Sequence, residues 1–384
     1  YTLDEDLGLD LYVTTVHGLL LATTSPETLH AAMDAALDPA VPSLADTERY
    51  HELLEREDTE DADQLFYMAM SGDDAEDIGV PPFTMLQTFR LEADGRLIGH
   101  GETLFDPDHA RGLWTAAIDP PAPTTPDLAY VPAEVLYCGW SNALSPRAFL
   151  DMAEEGMDED QRAEIEHMTR AATGMELSAL LDALGRGGGI VLEDVRTTGG
   201  SHTSPSLALM LEGVDEPAVA RALETFIAGQ GLPVRPVDIG GVPATLIAIP
   251  LGESLQPVYA LARGRLFVAT SPALLERMFQ AAENGTDITT SPLFTETAKG
   301  LPETASELSF VDVVRLTDAL RDSARQVGVL AAQFDDSGET EAIDHAVEKL
   351  LVPFLDGLQY IQAAQQRGTY APGELSDDAV ISTR

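Results

Sequence analysis

Two stretches of the chain share one pattern of apolar and polar positions. Residues 18–36 read GLLLATTSPETLHAAMDAA, and residues 264–282 read GRLFVATSPALLERMFQAA. In each, a strand-like apolar run leads to a Ser-Pro pair, after which apolar residues recur at helical spacing. A serine hydroxyl caps a helix N-terminus, and proline fits the first turn. The pattern predicts a glycine turn, a strand and a capped helix in both places.

The correspondence continues on both sides of these stretches. Strand-like runs precede them at 11–16 and 258–262. Five elements in the same order predict an internal duplication. The later matching pairs are 43–56 with 289–302, 64–70 with 307–313, and 83–105 with 358–383, where 83–105 reads as a hairpin turning at Asp94-Gly95.

The segment between the copies occurs once. We expect helices in SPRAFLDMAEE, DEDQRAEIEHMTRAATG, ELSALLDALG and DEPAVARALETFIAGQ, strands in VLYCGWSN, GIVLEDVRTT and SLALMLEG, and a hairpin over 234–250. The Gly/Ser-rich stretch TGGSHTSPS at 198–206 is expected to be a loop between two strands. Glycines in LGRGGGIVLED at 184–194 predict a helix stop and a turn, because a phosphate-binding loop runs from strand to helix.

The predicted fold class is α+β: a duplicated unit of mainly antiparallel sheet with helices packed on it. Residues 1–120 form an incomplete first copy, and residues 121–384 form a complete second copy. Within the second copy, 125–257 is the part found once and 258–384 repeats 1–105. We expect that the first half of the first copy was removed before Tyr1, was lost in evolution, or is supplied by a companion chain.

The net charge of the chain limits the classes of partner that it can bind. Acidic residues number 65 and basic residues 22, a formal net charge of −43, and only Lys299 and Lys349 are lysines. Salt screens the self-repulsion of such a chain, so the composition favours a saline environment, with a cation-binding surface as the alternative. Binding to nucleic acid or to an anionic membrane is strongly disfavoured, since no basic patch is present to neutralise phosphates.

Cysteine and apolar runs set further limits. Cys138 is the single cysteine, so an internal disulfide and a cysteine-based zinc site are excluded. It lies in the apolar stretch VLYCGWSN and is predicted to be a buried small residue. No apolar run reaches the roughly 18–20 residues that span a bilayer.

Candidate chemistry is sparse. None of the eight histidines has a tight metal-ligand spacing such as HExxH, and we expect them to be structural or exposed: His17, His30, His51, His100, His109, His167, His202 and His345. Ser201 precedes His202, but outside the strand-turn-helix context of a hydrolase elbow. Arg263 and Arg265 lie near the second Ser-Pro helix start, where capping is the preferred interpretation over anion binding.

Acidic runs at 55–63, 72–77 and 154–161 raise the question of calcium. None has the glycine and glutamate spacing of an EF-hand loop, so a solvated acidic surface is the preferred interpretation, with weak cation binding as the alternative. No catalytic, cofactor-binding or metal-binding residue is assigned, and no cofactor is expected.

Several segments together resemble a bacterial family of exported or lipid-anchored proteins classed as a domain of unknown function. They are VPAEVLYCGW, TGMELSALLDALGRGGGIVLED, LALMLEGVDEPAVARALETF, YALARGRLFVATSPALLERMF and FVDVVRL. The resemblance covers most of 125–384 and, more weakly, 1–105. It implies an extracytoplasmic setting (periplasmic, cell-surface or secreted) and a duplicated α+β fold, and it carries no catalytic residues.

The resulting hypothesis is a non-catalytic extracytoplasmic protein for binding or assembly, acidic and adapted to high salt. It would associate with itself, or with a companion segment that completes the first copy. Two alternatives stay open. One is a hydrolase-like enzyme whose site is assembled from distant residues, and the other is an acidic cation-binding surface protein.

Overall fold

The structure is a computed structural model, and all structural statements concern the residues it describes. These are 2–4, 9–10, 12–16, 19–23, 25–56, 59, 61–70, 81–106, 108, 120–147, 157–198, 202–248, 255–321 and 351–384. The predicted helix in SPRAFLDMAEE and the acidic run 72–77 lie largely or wholly outside these ranges.

The chain forms two compact units, Tyr1–Glu60 and Asp61–Arg384. This division differs in place from the predicted boundary at residue 120, because the strands of 61–105 belong to the large sheet of the second unit. The predicted boundary describes a repeat rather than a compact body, and it stays a prediction.

The first unit contains a hairpin followed by helices. Strand β3 (Tyr12–Val16) pairs antiparallel with β4 (Leu19–Thr23), and helix α1 (Pro26–Leu37) follows. The Ser25 side chain accepts a hydrogen bond from the Thr28 amide, which confirms the predicted cap. The other elements of this unit are β1 (Thr2–Asp4), β2 (Leu9–Asp10) and α2 (Glu48–Arg56).

The second unit is built on one sheet of 13 strands. In chain order they are β5 (Gln64–Met70), β6 (Phe83–Leu91), β7 (Leu97–Phe105), β8 (Tyr137–Ser141), β9 (Gly188–Thr198), β10 (His202–Glu212), β11 (Val234–Ile239), β12 (Val242–Ile247), β13 (Val258–Ala262), β14 (Arg265–Ala269), β15 (Glu307–Asp312), β16 (Ile361–Ala371) and β17 (Glu374–Thr383). The helices are α3 (Glu159–Thr173), α4 (Leu177–Ala183), α5 (Glu216–Gln230), α6 (Pro272–Asn284), α7 (Pro292–Thr297) and α8 (Val352–Gly357), and residues 313–321 are also helical.

Strand order across the sheet is β11-β12-β13-β14-β10-β9-β8-β15-β16-β17-β7-β6-β5. Each pairing of neighbours is antiparallel. The predicted α+β class with a mainly antiparallel sheet is therefore confirmed at this level. The β17–β7 pair joins chain segments that are far apart in sequence, and His100 lies opposite Asp378 in its register.

Local signals at the second Ser-Pro motif are confirmed. The Ser271 side chain accepts from the Leu274 amide at 3.3 Å and caps α6. Gly264, with φ of 72°, makes the turn between β13 and β14, and a residue with a Cβ is strained there. The predicted helix stop at 184–194 is also present, since α4 ends at Ala183 and β9 begins at Gly188.

The predicted loop at 198–206 is mostly strand. β9 extends to Thr198 and β10 begins at His202, with Pro205 paired opposite Val195. Serines and threonines interrupt the apolar pattern there, but they pair across the hairpin as readily as apolar residues. The loop predicted from the Gly/Ser-rich composition is therefore wrong. The β9–β10 pair has one register shift, between Ser206 and Leu207.

The main core lies on one face of the sheet, beneath α6, α7 and the segment 128–135. Phe267 is fully buried at its centre, with ring centroids 5.0 Å from Tyr130 and 5.1 Å from Phe279. Cys138 is 1% exposed, and burial raises the pKa of its thiol to about 12. The prediction of a buried, unreactive cysteine is confirmed.

Within the described ranges, none of the helices combines the length and the apolar character needed to cross a membrane.

Candidate functional site: a cavity on one face of the sheet

Alternation along the central strands separates two faces of the sheet. We call the face that carries Gly139, Ile190, Leu209, Ser309 and Gln366 the cavity face. These residues are neighbours across five strands, because Gly139 pairs with Ile190 and Ser309, Ile190 pairs with Leu209, and Ser309 pairs with Gln366. The opposite face, with Cys138 and Phe310, is the core face.

A half-open cavity of about 390 Å³ lies on the cavity face. Its volume falls in the range of pockets that hold small organic ligands. Ile190 and Leu209 are 36% and 39% exposed, so they offer apolar surface at its wall. The lining consists of Tyr137, Gly139, Trp140, Ser141, Leu144, Gly188, Gly189, Ile190, Leu209, Glu307, Leu308, Ser309 and Gln366.

Gly139 keeps the floor of the cavity at the level of the backbone. A Cβ atom at this position would lie 2.7 Å from the Tyr137 hydroxyl oxygen. The Tyr137 ring therefore reaches over Gly139 because no side chain occupies the space, an arrangement in which a glycine inside a strand marks a close approach.

One side of the cavity is polar. The Tyr370 hydroxyl donates to Glu307 Oε2 at 2.6 Å. Burial, together with the charge of Glu307, raises the pKa of Tyr370 above its usual range, so this phenol stays a donor. Glu307 belongs to the cavity lining, and it is the carboxylate that faces the site.

A buried carboxyl, Asp377, lies next to this polar side. It is 4% exposed, and its Oδ2 accepts from the amide nitrogens of Gln366 at 3.1 Å and Gln87 at 3.4 Å. Burial raises the pKa of Asp377 to about 6, against the lowering effect of the two amide hydrogen bonds. Gln366 lines the cavity and also donates to Asp377, so it connects the cavity with the buried carboxyl.

Gly101 makes room for this carboxyl. In the sheet it lies opposite Asp377, and a Cβ at Gly101 would be 2.7 Å from Asp377 Oδ1. A larger residue at 101 would displace the carboxyl from its two amide donors. The backbone of β7 thus forms part of the Asp377 site.

Nucleophilic catalysis has little support among the described lining residues. The hydroxyl groups there belong to Tyr137, Ser141 and Ser309, and no histidine is among the lining residues. His100 Nδ1 lies 2.8 Å from Asp378 Oδ1, but alternation places this pair on the other face of the sheet from Asp377. The arrangement suits binding by shape, apolar contact and one carboxylate.

The sequence analysis assigned no site residues, whereas the structure has a cavity whose lining residues come from segments far apart in the chain. His30, His51 and His167 are exposed, and the described residues hold no group of three or more His, Cys, Asp or Glu suited to a metal ion. The side chains of Ser201 and His202 lie outside the described residues. Glycines inside predicted strands, such as Gly99 and Gly101 in LIGHGETLF, were the sequence signal for close side-chain approach.

The two arginines considered for anion binding have internal partners. Arg265 pairs with Asp127, its guanidinium carbon lies 5.2 Å from the Tyr130 ring centroid, and Arg263 donates to the Tyr130 hydroxyl at 3.0 Å. These contacts fix the segment around Tyr130 on the sheet, which supports the structural role over an anion site.

Comparisons of the chain with protein-family models, with curated proteins and with solved structures give no match.

Proposed function

We propose that the chain is a non-catalytic binding protein whose ligand occupies the cavity on the cavity face. The observation that carries the proposal is the composition of that cavity: an apolar wall at Ile190 and Leu209 and a carboxylate, Glu307, at the polar side. This combination fits a small molecule or side chain with an apolar body and a cationic or hydrogen-bond-donating end.

Electrostatics favours a cation over an anion. The chain carries a formal net charge of −43, which repels anionic ligands at long range and concentrates cations near the surface. Glu307 supplies the local charge, and the Tyr370 hydroxyl occupies one of its oxygens, so the other is available to a ligand donor.

The test is calorimetric titration with two probes of similar size, phenethylamine and 3-phenylpropionate. We expect saturable binding of the amine and none of the carboxylate. Ser309→Leu places a larger side chain in the cavity and should abolish binding, whereas Ser376→Leu, on the opposite face of β17, should retain it. Equal binding of both probes, or equal affinity in the two variants, would refute the proposal.

A hydrolase-like enzyme is the second candidate, and Asp377 is the observation that favours it. A carboxyl with a pKa of about 6 suits proton transfer near neutral pH. Against this, Asp377 is 4% exposed and held by two amides. Hydrolysis of a panel of aryl esters that Asp377→Asn abolishes would favour the enzyme over the binding protein.

We also propose that the chain contains a duplicated unit, as the sequence pattern predicts. Hairpin β3–β4 pairs Tyr12 with Thr23, and hairpin β13–β14 pairs Val258 with Ala269. These two pairs occupy the same positions when residues 18–36 and 264–282 are superposed without a gap and the match is extended to the preceding strands. The helices that follow begin at Pro26 and Pro272 after matching serine caps. Agreement in register and capping supports a common origin.

The β17–β7 pair supports the same proposal. Gly95 and Gly373 make the turns of hairpins β6–β7 and β16–β17, with φ of 86° and 77°. His100 and Asp378 follow these glycines at the same spacing, and they lie opposite each other in the sheet. Two related strands that pair through matching residues have local two-fold symmetry, the arrangement expected of two copies joined edge to edge.

The proposed setting is extracytoplasmic and saline. The family resemblance supports the first part, and the net charge of −43 with two lysines supports the second. The melting temperature should rise from low to molar salt as the acidic surface is screened. A flat or falling curve would refute the salt adaptation.

A further inference from the structure

Strand β5 is the last described strand at one end of the 13-stranded sheet. It pairs with β6 through the register from Gln64 opposite Phe89 to Met70 opposite Phe83. Its sequence, QLFYMAM, carries no charge, and Leu65 and Phe66 are 42% and 47% exposed. An apolar strand at a sheet end is a template for pairing with another strand.

The opposite end of the sheet is built differently. Strand β11 reads VRPVDI, so it carries Arg235, Pro236 and Asp238. Charged residues and proline are the features that protect an edge strand from adding a further strand. Strand β11 has these protective features and β5 has none. The two ends of the sheet therefore differ, and β5 is the end suited to pairing with a further strand.

The internal correspondence indicates what pairs with β5. Strand β15 aligns with β5 and pairs with β16 as β5 pairs with β6. On its other side, β15 pairs antiparallel with β8, so that Leu308 lies opposite Trp140 and Ser309 opposite Gly139. Leu65 and Phe66 take the positions of Leu308 and Ser309 in this alignment.

We propose that the outer edge of β5 binds an antiparallel, uncharged strand of the β8 kind, with an aromatic residue opposite Leu65 and a small residue opposite Phe66. The proposal rests on the duplication proposed above, but not on a ligand in the cavity. Main-chain hydrogen bonds supply the affinity in such strand addition, and the alternate side chains supply the specificity. A strand without charge also avoids the repulsion of the acidic chain.

The test uses a labelled peptide that spans β8 of this chain, residues 135–142, which carry no charge, with Cys138→Ser to prevent oxidation and blocked termini. Fluorescence anisotropy in molar salt measures its binding to the full chain. We expect saturable binding, and a loss of about tenfold or more for the same peptide N-methylated at alternate backbone amides, which cannot form the ladder.

Two matched variants locate the contact. Leu65→Lys places a charge on β5, and Val234→Lys places one on β11, where Val234 is also 42% exposed. We expect Leu65→Lys to weaken peptide binding about tenfold or more and Val234→Lys to leave it unchanged. Circular dichroism shows whether each variant is folded, and the N-methylated peptide tests the proposal without any variant.

Three results would overturn the proposal: no saturable binding, equal binding of the N-methylated peptide, or equal loss in the two variants. A dimer that Leu65→Lys dissociates, seen by sedimentation without peptide binding, would also overturn it and identify a second copy as the occupant. Phenethylamine binding in the cavity should be the same with and without the peptide, so failure of one proposal is distinguishable from failure of the other.

Discussion

Asp377 and Gly99 follow the turn glycines of their hairpins, Gly373 and Gly95, at the same spacing, but their surroundings differ. Asp377 lies in the space above Gly101 and accepts two amide hydrogen bonds. At Gly99 a Cβ would lie 2.9 Å from the Phe89 ring. Both glycines lie in β7: Gly101 leaves space for a carboxyl of β17, and Gly99 leaves space for an aromatic ring of β6.

The glutamines show the same comparison from the other direction. Gln87 and Gln366 occupy matching places in β6 and β16, and both donate to the same oxygen of Asp377. The two hairpins therefore share one backbone design and both contribute to the polar site, but its buried carboxyl, Asp377, comes from hairpin β16–β17 alone. Each glycine leaves a space beside the strand, and the neighbouring side chain that fills it, Asp377 or Phe89, determines whether the space is polar or apolar.

The largest effect should come from filling the carboxyl's space. Gly101→Val should lower the free energy of unfolding by about 3 kcal/mol, because Asp377 is buried and held by two donors and cannot move aside cheaply. Gly99→Val should cost less than about 1 kcal/mol, since the half-buried Phe89 ring can turn outward. Urea denaturation of both variants measures the difference, and equal losses would contradict the comparison.

Asp377→Asn should raise the free energy of unfolding by up to about 3 kcal/mol above pH 6. The folded pKa of about 6 exceeds the ordinary value of 3.8, so the folded state holds the proton more tightly. The stabilising contribution of Asp377 to the free energy of unfolding is therefore fully present below about pH 4, and it is lost as the pH rises through about 6. Asparagine does not titrate, so the gain should vanish at low pH. A pH-independent difference would show that Asp377 does not titrate in this range.

Tyr370→Phe should cost about 1 kcal/mol, because it removes the hydrogen bond between Glu307 and a half-buried hydroxyl. Leu91 occupies the matching place beside the other hairpin turn and is 60% exposed. Leu91→Ala should therefore change stability by less than about 0.5 kcal/mol. Thermal unfolding of the two variants provides the measurement. A larger loss of stability for Leu91→Ala than for Tyr370→Phe would contradict the predicted difference between the two hairpins.

Local structure was largely accessible from the sequence. Helices α1 and α6 begin at the predicted Ser-Pro caps, and the hairpin at Gly95 turns where Asp-Gly predicted it. These signals depend on a few adjacent residues. The loop predicted at 198–206 was wrong because composition does not report cross-strand pairing, and that pairing extends both strands.

The cavity was not accessible in the same way. Gly139, Glu307 and Gln366 come from segments far apart in the chain, and only the sheet order brings them together. Polar residues in an alternating strand read as a solvated face, because the period of two is the same whether that face meets water or a cavity. Glycine within the strands was the remaining signal, and it indicates space without indicating what fills it.

The most direct test of the binding proposal is an amide chemical-shift map of the chain during titration with phenethylamine. We predict saturable shifts at Gly139, Ser309 and Gln366, which belong to the cavity, and smaller shifts at Gly99, on the other side of the β17–β7 pair. Shifts confined to Gly99 and its neighbours, or no saturable shift at the cavity residues, would contradict the account.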